Sequence, residues 1–128
     1  MTVLRSYVRQ FFHSMNIVAV TIVLLGGCAT SEETKQRSRG YYQEGMASLE
    51  TDRQKAFVSF QKAVQLNPDN KEARYGLGHI LVSQGKLAQG EVEFREAIKI
   101  DENYSEAHTY LGQVLINQDR WPEAIVEF

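Results

Sequence analysis

The chain's only thiol, Cys28, is its most reactive side chain and stands directly after Gly26-Gly27. A lone cysteine cannot form an intrachain disulfide or build a zinc site on several thiolates, so its available chemistry is attachment of a group through sulfur. The histidines offer less. His13 lies near the N-terminus, and neither His79 nor His108 has a second His or Cys at metal-ligand spacing, so no metal site is expected. Glycine-rich phosphate loops and serine elbows are missing, and Glu91, Glu93 and Glu96 have the spacing of a solvated helix face. No catalytic residue is identified, so the segment is not expected to be an enzyme.

The elements that would hold such residues must be few. With 128 residues the chain is long enough for one domain, and 43% hydrophobic content with two prolines argues against disorder throughout. Fourteen basic against sixteen acidic residues give −2, which carries no general attraction for nucleic acid. The charge is uneven, however. Residues 1–27 contain Arg5 and Arg9 and no acid, so they carry +2 and the remainder −4.

Ile17 to Leu25 is apolar except for Thr21. A bilayer-spanning helix needs about 20 apolar residues, so this run has the length of a signal-peptide core behind a positive leader. Leu25-Gly26-Gly27-Cys28 resembles the lipobox of bacterial lipoproteins: an aliphatic residue, two small residues, then cysteine. The resemblance implies cleavage between Gly27 and Cys28 and a diacylglyceryl or fatty acyl group on the Cys28 sulfur. Beyond that covalent lipid no cofactor is expected. Ala29 in place of Asp after the cysteine implies sorting to the outer membrane of a Gram-negative envelope, on its periplasmic face. Residues 28–38 are then the lipidated N-terminus and a polar tether.

The rest repeats with a period of 34. Phe60, Phe94 and Phe128 recur at that spacing, as do Ala63 and Ala97, Leu77-Gly78 and Leu111-Gly112, and Leu81 and Leu115. Ala56, Gly90 and Ala124 form a small-residue column. Each period holds two helical stretches, read as Glu72 to Gln84 and Val92 to Ile100 in the second unit. Gly85 ends one, Pro68 closes the helix before, Asp69-Asn70 and Ser105 offer caps, and Pro122 suits a first turn. Small residues on facing helices let the axes approach, and the phenylalanines fill the space beside them.

This pattern resembles the tetratricopeptide repeat (TPR) on Leu77-Gly78, Gly85, Phe94, Ala97 and Ile100, then Leu111-Gly112, Trp121, Ala124 and Phe128. The fold implied is an all-α solenoid of antiparallel helix pairs behind the signal peptide. It spans residues 39–128, with repeats at about 39–70, 71–104 and a truncated 105–128. Repeat one is shorter by one residue, placed in the turn at Glu50-Thr51-Asp52-Arg53, and Glu102 stands where a closing proline is usual. Phe128 falls about ten residues short of a complete third repeat. The chain is therefore expected to be a fragment, or to need a partner for its last helix.

In that family the first helix of each pair lines a concave groove that takes a peptide. The resemblance carries this role to Tyr42, Met46, Tyr75, His79, Ser83, Thr109, Gln113 and Asn117, with Leu49, Val82 and Ile116 divided between groove and packing. Tyr75 and His79 are expected to be exposed rings. The carboxylate clamp of the chaperone-binding branch is missing, because its places hold Tyr42, Met46, Gly76, Glu106 and Tyr110. Lipobox and TPR together look like the type IV pilus biogenesis/stability lipoproteins, or pilotins. They imply a membrane contact through lipid and a protein partner such as a secretin subunit, with no nucleic acid or small-molecule substrate. Adaptors for outer-membrane protein assembly or cell-wall hydrolases, and the N-terminal TPR part of a longer enzyme, share the pattern. Cys28→Ser should abolish fatty-acid labelling and strand an unprocessed precursor, read by metabolic labelling and gel mobility; a labelled, normally processed Cys28→Ser protein would refute the lipid anchor.

Overall fold

The helix boundaries repeat with the same period as the apolar residues. A computed structural model describes residues 31–128, and Gly27, Cys28 and the apolar run lie outside the described residues. Helices α1 (31–48), α2 (Arg53–Leu66), α3 (Lys71–Ser83), α4 (Leu87–Ile100), α5 (Ser105–Asn117) and α6 (Trp121–Ala124) follow in order, ending in a 3₁₀ turn at Ile125–Glu127. The described residues contain no strand. Lys35–Phe128 form one compact unit, grouped apart from Met1–Thr34, and all the packing that follows lies within it.

Local chemistry sets each boundary. Asp52 caps α2 by accepting from the Lys55 N–H at 2.9 Å, and Asn70 caps α3 by accepting from the Ala73 N–H at 3.0 Å. Ser105 does not cap α5: Tyr104 holds that position without a side-chain cap bond, and the Ser105 hydroxyl turns to Glu106. The cap is exchanged for packing, since the Tyr104 ring lies 5.7 Å from that of Tyr75. Helix α4 starts at Leu87, ahead of the Val92 expected, because Gly90 inside it marks a close helix approach rather than a break. The turns between pairs are Asx turns in the same register, with Asn67 accepting from the Asp69 N–H and Asp101 from the Asn103 N–H.

Glycine makes the interior. A Cβ on Gly78 would sit 2.9 Å from the Phe94 ring, and one on Gly112 2.6 Å from that of Phe128. Phe60 is shared, its ring lying against Gly45 and also against Gly76 of the next pair. At Gly90 a Cβ would meet Val82 at 2.4 Å and the Gly78 carbonyl at 3.0 Å, so α3 and α4 nearly touch there. Around these contacts lie two apolar clusters, one on Ala56, Phe60, Leu77, Ile80 and Leu81, the other on Phe94, Leu111, Val114, Leu115 and Ala124. Ile125, Val126 and Phe128 remain largely exposed.

Polar ties stitch one pair to the next. Ser38 is buried, donates to the Ala63 carbonyl at 2.7 Å and accepts from the Asn70 amide at 2.9 Å. Helical structure therefore extends upstream of residue 39 into the stretch expected to be tether, and the packed unit includes Ser38. Arg74 donates to the Pro68 carbonyl and to Glu93, at 2.7 and 2.9 Å. One period on, the two nitrogens of His108 lie 3.1 Å from the Glu102 carbonyl and 2.7 Å from Glu127. A cationic or imidazole side chain thus fastens the first helix of a pair to both the preceding turn and the second helix, in a column that the apolar period did not reveal.

The turns inside the pairs match as well. Gly85 has φ +77° and Asp119, 34 residues later, φ +60°. Lys86 N–H bonds to the Leu81 carbonyl and Arg120 N–H to that of Leu115, both at 2.9 Å. An L-residue in this left-handed conformation is strained where glycine is not. Asp119→Gly should raise stability by about 0.5–1 kcal/mol, measured by urea denaturation; a fall would show that the Asp119 side chain contributes more than its backbone strain costs.

Candidate functional site

Three first helices, α1, α3 and α5, present the residues assigned to the groove. Because repeat one is shorter by one residue, the columns run Tyr42, Tyr75, Thr109 and Met46, His79, Gln113, with Ser83 followed by Asn117. None of the eight side chains is buried. Met46 is 47% exposed, Ser83, Thr109, Gln113 and Asn117 are exposed, and Tyr42, Tyr75 and His79 are half-buried. Two hydroxyls are already committed as donors along their own helices, Ser83 to the Ile80 carbonyl at 2.7 Å and Thr109 to that of Ser105 at 2.9 Å. A ligand can use them only as acceptors. Leu49, Val82 and Ile116 pack against the apolar clusters and serve as the floor.

Tyr75 is more deeply engaged than an exposed ring. It lies 5.9 Å from Phe94, 5.7 Å from Tyr104 and 5.5 Å from Tyr110, the last edge-on. His79 stands edge-on to Tyr110 at 5.2 Å. Tyr75 is therefore the hub of an aromatic cluster joining the second and third pairs. Burial first, then Tyr110 and the Glu106 carboxylate, push its phenol up to about 12. Burial likewise raises Tyr42, helped by Glu72, and Tyr104, helped by Glu106 and Glu72. Sequence spacing did not indicate Tyr104 or Glu72 as groove residues; they converge through the stacking of the pairs.

The chemistry of the face is that of contact and hydrogen bonding. Among the described residues no group of His, Cys, Asp and Glu is placed to hold a metal ion, and no helix is long and apolar enough to cross a membrane. One of the clamp positions is also blocked by shape. A side chain at Gly76 would run into the Phe60 ring at 2.8 Å, so a hydrogen-bonding residue there would disrupt the interior.

The tetratricopeptide-repeat family matches this chain twice, over residues 47–93 and 93–126. Among solved structures, the crystal structure of MamA is similar at TM-score 0.69 and 26% identity, over 74% of this chain and 56% of MamA. The chain thus spans about half of the MamA chain. The Arabidopsis OM64 TPR domain is similar at TM-score 0.69 and 20% identity, covering 73% of this chain and 78% of that one. The second TPR of Spaghetti (RPAP3), solved with the HSP90 peptide SRMEEVD, gives 0.71 and 18%, covering 75% and 90%. A search of curated proteins finds no match.

The aromatic hub separates stability from recognition within the groove. Tyr75→Ala should cost about 2–4 kcal/mol, whereas Gln113→Ala and Asn117→Ala should change stability by less than about 0.5 kcal/mol. Thermal denaturation by circular dichroism measures both, and a Tyr75→Ala protein as stable as the parent would refute the hub.

Proposed function

We propose that this chain, whose residues 47–126 are tetratricopeptide repeats, works as a lipid-anchored adaptor on the periplasmic face of the outer membrane. In this reading it captures a polypeptide of the type IV pilus or secretin assembly in its concave face. The repeat fold is one of protein-interaction modules rather than of catalysts. The observation that carries the adaptor reading is that Met46 on α1 and Gln113 and Asn117 on α5 are exposed on first helices and not needed for the interior. A rigid floor beneath reachable amide and thioether side chains suits an extended peptide, whose backbone needs donors and acceptors at regular intervals.

The anchor supports the narrower assignment. Acyl chains contribute roughly 0.8 kcal/mol per buried CH₂, so a diacylated and N-acylated Cys28 would hold the domain on the bilayer. Confinement there raises the effective concentration of the groove for any partner inserting into the same membrane. Lipid would supply location and the groove selectivity.

Deleting the gene should reduce secretin multimers on a gel, and a plasmid copy carrying Met46→Arg with Gln113→Arg should fail to restore them despite wild-type abundance and thermal stability. Unchanged multimers in the deletion strain would refute the pilus assignment. Full rescue by the groove variant would refute capture through the concave face.

A further inference from the structure

We propose that the end of the concave face formed by the starts of α3 and α5 is a seat for a cationic side chain. An arginine or lysine of the extended partner would lie against the rings of Tyr42, Tyr75 and Tyr104, with Glu72 and Glu106 as its counter-charges. The inference rests on the adaptor reading and specifies the chemistry of the partner.

The seat has a cavity beside it. Arg39, Tyr42, Gln43, Asn67, Asp69, Asn70 and Glu72 line a space of about 450 Å³. Asn70 is tied to Ser38 and the Ala73 N–H and the Asn67 oxygen to the Asp69 N–H, so Gln43 is the amide best placed to meet a peptide backbone, and the cavity's two carboxylates outnumber its single guanidinium. The neighbouring rim already holds one cation within the molecule: the Lys71 ammonium stands 5.1 Å over the Tyr104 ring and pairs with Asp101. The repeat copies the adjacent carboxylate but not the cation. Glu72 recurs as Glu106, whereas the place of Lys71 is taken by Ser105.

Neither Glu72 nor Glu106 forms a direct ion pair among the described residues, although the Lys71 ammonium, held by Asp101, is near enough to feel the charge of both. Glu106 accepts from the Ser105 hydroxyl at 3.2 Å. The carboxylates act on the rings, since after burial Glu72 raises the Tyr42 phenol, and after burial and Tyr110 Glu106 raises that of Tyr75. Asp69, Glu72, Asp101 and Glu106 outnumber Arg39 and Lys71 at this end of the face, a balance that favours an incoming cation over an acidic peptide. At this face a TPR clamp for a terminal carboxylate would place cations, whereas here Glu106 and Tyr110 hold two of those positions.

The test is fluorescence anisotropy with two labelled dodecapeptides, one alternating Arg and Ala, the other Glu and Ala. The Arg peptide should bind at least about tenfold more tightly, with affinity falling as ionic strength rises. Glu72→Gln combined with Glu106→Gln should weaken it about tenfold at unchanged thermal stability, whereas Glu96→Lys on α4, a comparable change in net charge, should leave it unaltered. Equal binding of both peptides, undiminished affinity in the double variant, or an equal loss in Glu96→Lys would overturn the cationic seat. If the seat fails while Met46→Arg with Gln113→Arg still abolishes secretin multimers, the adaptor reading survives with a partner of other chemistry.

Discussion

Two helices can pack ring against backbone only where one of them lacks a side chain, and the rest of this structure depends on that condition. Phe60, Phe94 and Phe128 each lie over a glycine of the facing helix, at Gly45, Gly78 and Gly112. The contact fixes the distance within each pair, and the shared use of Phe60 by Gly45 and Gly76 fixes the first pair against the second. Interiors packed to crystal-like density tolerate little change of volume at such points. Because the pairs are held from inside, their first helices need not use their outward side chains for stability, and those side chains remain available for recognition.

Much of this architecture was legible from large and small apolar columns, because they are the residues that make it. Phe60, Phe94 and Phe128 disclosed the period, and Gly85 the turn. Polar columns of the same period were legible in principle and passed unread: Arg74 with Glu93 recurs as His108 with Glu127, a substitution of types that hides a common geometry. Asp119 in the place of Gly85 was hidden in the same way. The aromatic hub was not legible. Tyr75, Tyr104 and Tyr110 obey no common spacing, and they meet only because the third pair is stacked on the second. Tyr75, expected as an open contact ring, proved to be a structural one for that reason.

The groove therefore has two layers with different tasks. Beneath lie Leu49, Val82 and Ile116 together with the aromatic hub, which give the face its shape. Above them stand Met46, Gln113 and Asn117, which can change without disturbing that shape. Such a division lets one fold serve many partners, since the upper layer can drift while the lower is retained. It also means that a shape match to other repeats says little about what is bound, because the shape belongs to the lower layer and the choice of partner to the upper.

The two joints between successive pairs are built from different materials. The first is neutral and enclosed, with Ser38 bridging the Ala63 carbonyl and the Asn70 amide. Its counterpart one period on is ionic and partly open to water, with Lys71 on Asp101 beneath the Tyr104 ring. Dissolved electrolyte weakens the second kind of joint and leaves the first almost untouched. The second joint thus sets an ion-sensitive tie beside the ring contacts of Tyr75, Tyr104 and Tyr110, so electrolyte loosens its polar part while the rings stay packed.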